Sequence, residues 1–130
     1  MHINTNIKGL IMELEHDNYQ DVLDSRDIIE RLDELRGMEK LDDNEKAELE
    51  ALDKLESECQ GCGDWDHGET LIHSSYFEEY ARELVNDCGY IPDDLPWWIT
   101  DAIDWEKIAD NVKLDYCEVD YAGQTFFIRS

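Results

Sequence analysis

The sequence predicts an α+β fold: an N-terminal antiparallel helical hairpin over residues 1–60, then a small helical module over 61–130 that ends in a β-hairpin. Three observations predict it. Apolar residues recur at helical spacing through the first half, a continuous helical face follows from Phe77, and the C-terminal residues switch to strict alternation. Helices first and strands last is the order of an α+β chain, and 130 residues suit one domain of ordinary size.

Residues 1–20 are weakly patterned, with an apolar cluster of Leu10, Ile11, Met12 and Leu14. Asp24-Ser25 reads as a helix N-cap ahead of Ile28, Ile29, Leu32 and Leu35, and Gly37 supplies the stop. Asp42 starts a second helix, with Glu45 as its capping-box partner three residues on. Leu49, Ala51, Leu52 and Leu55 continue its stripe to Cys59, and the short connection predicts an antiparallel pair. Gly61, Gly63 and Gly68, with Asp64 and Asp66, read as a loop before a short strand, Thr70–His73.

Ser75 and Glu78 form the next predicted capping box. Phe77, Tyr80, Ala81, Leu84, Val85 and Cys88 then line one face, and Gly89 sits at the left-handed C-terminal position. Pro92 and Pro96 frame a turn and a brief helix carrying Trp97, Trp98 and Ile99. Ile103-Asp104 opens a last helix with Trp105, Ile108, Ala109 and Val112 inward. Cys117, Val119 and Tyr121 alternate with Tyr116, Glu118 and Asp120. The turn Ala122-Gly123 returns the chain through Gln124 to Ile128.

Thirty-four Asp and Glu stand against 11 Lys and Arg, for a net charge of −23. Such a chain repels nucleic acid and anionic membrane, so the expected partner has a basic surface. With an apolar content of 42%, the chain is too hydrophobic for a disordered acidic tail. No apolar run reaches the roughly 20 residues of a membrane span, and Met1-His2-Ile3-Asn4 lacks the pattern of a secretory signal. The cytoplasm is the expected location, with all four cysteines reduced.

Cys59 and Cys62 have the two-residue gap of a zinc knuckle, and His67 and His73 follow; together they would make a tetrahedral set. The histidine spacing fits no standard finger, and Cys59 also falls on an apolar stripe. A zinc-stabilised acidic adaptor is therefore an alternative reading, and the leading one has no metal and no cofactor. Asp64, Asp66 and Glu69 depart from the calcium-loop pattern, and Ser74 and Ser75 read as caps. No nucleophile elbow, phosphate loop or His-Glu-x-x-His pair occurs, so no enzyme is expected. Trp97, Trp98, Trp105, Phe126 and Phe127 read as the core of the C-terminal module, with one of the adjacent tryptophans pointing outward.

The acids recur on outer helical faces: Glu79, Glu83 and Asp87; Glu30 and Glu34; Glu106 and Asp110. Asp93 and Asp94 join them in the turn. Like charges four apart destabilise a helix, which points to a negative surface kept for a partner. Duplex DNA carries one charge per about 1.7 Å, so a charge of −23 matches roughly a dozen base pairs.

From about Tyr76 onward the chain resembles the C-terminal part of the ArdA-type antirestriction proteins. The matching features are Tyr80-Ala81, Gly89, Pro92, Ile103-Asp104-Trp105, Ala109-Asp110, Asp115-Tyr116 and the aromatic strand ending at Arg129. It is also similar to small acidic phage proteins that share this tail. The resemblance makes 61–130 an ArdA-like C-terminal α+β module. It implies a DNA mimic, often a homodimer, that fills the DNA-binding groove of a Type I restriction–modification enzyme. Two departures are visible. Family members are usually longer, and the family's Ala-Arg-Asp-like helix is here Ile108-Ala109-Asp110-Asn111. A CRISPR effector blocked by the same mimicry is the alternative target.

Overall fold

The computed structural model describes residues 14–130; the predicted cluster of Leu10, Ile11 and Met12 lies outside them. The described chain is built from β1 (Val22–Asp24), α1 (Ser25–Arg36), α2 (Asp43–Cys59), β2 (Thr70–His73), α3 (Phe77–Asp87), α4 (Trp97–Thr100), α5 (Trp105–Val112), β3 (Tyr116–Tyr121) and β4 (Gln124–Arg129). This is a mixed helix-and-sheet architecture of the α+β class.

One four-stranded antiparallel sheet, in the order β1-β2-β4-β3, organises the molecule. Strand β1 from the first segment pairs with β2 from the second through Leu23 opposite Leu71, so the two segments share the sheet. Successive strand residues point to opposite faces, and each face has its own core. On one side Leu71, Val119, Tyr121, Phe126 and Ile128 meet Ile28, Leu32 and Leu35 of α1 and Leu52, Leu55 and Cys59 of α2. On the other, Ile72 and Phe127 meet Phe77 and Ala81 of α3 and Ala109 of α5. The sheet is therefore the middle of three layers.

Local chemistry explains most element ends. Asp24 accepts from the Arg26 N–H at 2.9 Å and caps α1. Asp42 and Glu45 exchange the two bonds of a capping box at the start of α2. Asp104 accepts from Lys107 N–H to open α5. At the end of α3, Gly89 takes a φ of 70°, with Gly89 N–H on Asn86 O and Tyr90 N–H on Val85 O. That pair of bonds is a Schellman closure, which favours glycine at this position.

Several expectations are corrected. The Ser75–Glu78 capping box does not form. Ser74–Tyr76 is a short 3-10 turn, and the His73 ring caps it, Nδ1 accepting from Ser75 N–H at 3.1 Å. Cys88, placed on the inner face of α3, is exposed because the helix ends there. Trp97 and Trp98 are not core: both point outward, at 77% and 61% exposure, since α4 is a single turn too short to bury either ring. Of the other predicted core aromatics, Phe126 is buried and Trp105 and Phe127 are half-buried. Between α1 and α2, Arg31 pairs with Glu48, and Arg36 with Asp53 and Glu56.

Candidate acidic interface

All nine acids singled out in the sequence are exposed: Glu30, Glu34, Glu79, Glu83, Asp87, Asp93, Asp94, Glu106 and Asp110. The three layers divide them. Glu30 and Glu34 lie on α1, on one side of the sheet; Glu79, Glu83 and Asp87 on α3 and Glu106 and Asp110 on α5 lie on the other. Asp93 and Asp94 belong to the segment joining α3 to α5.

Amphipathic packing produces the second group. Phe77 and Ala81 anchor α3 on the sheet, and Ala109 anchors α5 beside it. Acids at 79, 83 and 87 therefore project on the solvent side, about 6 Å apart along the axis. Glu83 also accepts the Tyr76 hydroxyl at 2.7 Å, which holds its carboxylate in place and pushes the Tyr76 pKa up to about 12.

The bases offset this field only in part: of the nine acids, Glu34 is paired with Arg31 and Asp110 with Lys113. Arg31 reaches Glu15, Glu34 and Glu48, Arg36 reaches Asp53 and Glu56, Arg26 pairs with Asp24, and Lys54 with Asp120. Arg82 lies over the Trp105 ring at 4.6 Å, and Arg129 over Tyr116 at 5.7 Å. Lys113 covers Phe77 and Phe127 and stands 3.8 Å from Asp110. From Glu83 to Glu106 the sequence holds seven acids and no Lys or Arg. Those seven are Glu83, Asp87, Asp93, Asp94, Asp101, Asp104 and Glu106, all exposed. Asp101 and Asp104 complete a run whose first members the helical periodicity had marked.

The proposed zinc set is not assembled. Cys59 is fully buried at the end of α2, and burial pushes its pKa up to about 12. Cys62 faces Cys117 of β3, and burial together with that thiol contact raises its pKa. His67 is exposed and 3.9 Å from Asp64. His73 bridges Gln124 at 2.8 Å and Ser75, packed edge-on to Phe126. Among the described residues no three His, Cys, Asp or Glu side chains gather as a cation site requires. Glu69, one of the loop acids, instead accepts the Asp64 N–H, closing the loop. An open pocket of about 330 Å³ lies along 60–67, lined by Cys62, Asp64, Asp66 and His67 among others.

Among the described residues no helix is long and apolar enough to cross a membrane. Comparison with protein-family models, with curated proteins and with solved structures finds no match to this chain.

Proposed function

We propose that this protein is an acidic, non-enzymatic inhibitor that takes the place of DNA in the basic binding site of a host defence complex. The observation that carries this reading is the exposed acidic run from Glu83 to Glu106, which no base interrupts. Glu83, Asp87 and Glu106 are held by α3 and α5, so their positions are set before the partner arrives, and Asp93, Asp94, Asp101 and Asp104 lie in the turns between those helices. Preorganised negative charge steers a basic groove into place and then competes for the contacts that phosphates make. The resemblance of 76–130 to ArdA-type proteins makes a Type I restriction–modification enzyme the first candidate, with a CRISPR effector as the second. Either target places the inhibitor in the host cytoplasm. It needs no cofactor and binds no nucleic acid itself.

The test is displacement of a fluorescent duplex from each purified complex. The expected result is release of DNA that weakens as salt rises, because surface charge is screened over about 8 Å at physiological ionic strength. Failure of the folded protein to displace DNA from either complex at low salt would overturn the reading.

A further inference from the structure

The segment between α3 and α5 has a feature that charge alone does not explain. Residues 88–104 contain no buried residue, yet they present Tyr90 at 74%, Trp97 at 77% and Trp98 at 61% exposure. Other large exposed apolar side chains, such as Leu114, Tyr19 and Met38, are scattered singly, which is ordinary for a surface. Two adjacent exposed tryptophans are not. The segment is nevertheless ordered. Ile99 N–H bonds Pro96 O at 3.0 Å, Asp101 N–H bonds Trp97 O at 2.8 Å, and the Thr100 hydroxyl bonds the same carbonyl at 3.0 Å. Pro92 and Pro96 restrict the backbone on the approach. The rings are thus presented on a hydrogen-bonded turn with a restricted approach, which lowers the entropy cost of engaging a partner.

The surroundings select the occupant. Asp93 and Asp94 precede the tryptophans, Asp101 and Asp104 follow them, and no base lies within the segment. A second copy would bring two like-charged rims face to face, and an anionic membrane would be repelled. We infer that this segment is an aromatic anchor that docks a protein surface with an apolar recess rimmed by Lys and Arg. Lysine and arginine pair with the aspartates and stack on indole faces, while the recess takes the ring that remains. The inference rests on the inhibitor reading above and names the part of the surface that makes the central contact.

Two measurements separate the anchor from that reading. In DNA displacement from the restriction enzyme, Trp97→Gln with Trp98→Gln should weaken competition about 30-fold, as truncation of a central aromatic contact does. The salt dependence should match the parent's, and so should the melting temperature, since neither ring is packed. Equal competition by parent and double variant would overturn the anchor while leaving the mimicry intact. The second measurement titrates the protein with a Trp-free helical peptide of Lys, Arg and Leu. The expected result is a blue shift and acrylamide protection of tryptophan emission that the double variant loses. That signal supports the anchor even if the parent displaces no DNA, an outcome that would remove the inhibitor reading alone. Peptide binding without an emission change would overturn the anchor. So would a parent dimer, seen by sedimentation, that the double variant dissolves, because the occupant would then be a second copy.

Discussion

Arg31 of α1 grips Glu48 of α2 with two nearly parallel hydrogen bonds, Nε to Oε2 at 2.9 Å and Nη2 to Oε1 at 2.8 Å. Glu48 is only 1% exposed, and its Oε2 also accepts the Glu15 N–H at 3.2 Å. In a chain of −23 net charge, Glu48 is the acid that is buried among the described residues. Replacing Arg31 with Met strands a buried carboxylate and should cost about 3 kcal/mol at neutral pH. The double variant Arg31→Met, Glu48→Met should recover most of that loss, because an apolar pair of similar size removes both desolvation penalties. Chemical denaturation of the parent, the two single variants and the double gives the cycle. A double variant no more stable than Arg31→Met would show that the pair contributes more than it costs to bury.

The hairpin turn carries a local strain. Ala122 has a φ of 51° and Gly123 a φ of 88°, the paired positive values of a type I′ turn. Alanine is a poor residue for the first of these positions, where asparagine is preferred. Ala122→Asn should stabilise the protein by roughly 0.5–1 kcal/mol, and the Asn18 side-chain bond to the residue 122 carbonyl survives because it uses backbone. A lower melting temperature would mean that the half-buried alanine methyl matters more than the strain.

Stability should fall on the alkaline side. Burial pushes Cys59 and Tyr80 up to about 12, and Tyr121 higher, while its hydroxyl donates to His16 O. In the unfolded chain a cysteine releases its proton near about 8.5 and a tyrosine near about 10. Between those values and the folded ones, the folded state binds more protons, so unfolding becomes easier as pH rises. The melting temperature should hold to about pH 8.5 and then fall, in step with tyrosinate absorbance. Tyr121→Phe should shrink the alkaline drop while losing about 1 kcal/mol at pH 7 with the hydrogen bond. An unchanged drop in that variant would assign the effect to other groups.

Much of this fold is legible locally. Asp24, Asp42 and Asp104 announce their helices because a cap needs only its own next three residues. Gly89 and the alternation from Cys117 to Tyr121 are equally local. What escapes is set by distant partners. Strand β1 spans three residues, too few to show a period, and exists because Leu23 finds Leu71. His73 displaces Ser75 as a cap because β2 brings its ring over Ser75 and opposite Gln124. Tryptophan composition predicts burial in general, yet where a ring points depends on whether its helix has a neighbour. Exposure of the acids follows from helical period, but their division between two sides of the sheet follows from topology alone.

The α3 stripe offers the test of where the charge acts. Glu79, Glu83 and Asp87 are exposed, opposite the anchored Phe77 and Ala81. Changing them to Gln, Gln and Asn removes like-charge pairs four residues apart, each worth a few tenths of a kcal/mol, roughly, of repulsion. Glutamine at 83 can still accept the Tyr76 hydroxyl through its amide oxygen, so the local geometry holds. The melting temperature should therefore stay or rise. Competition with DNA should weaken several-fold, and the salt dependence should flatten, because fewer charges are neutralised on docking. This signature differs from that of the tryptophan variant, whose loss should be uniform across salt. Undiminished competition by a folded triple variant at physiological salt would move the contact off α3, to the acids from Asp93 to Glu106 or to those of α1 and α2 on the far side of the sheet.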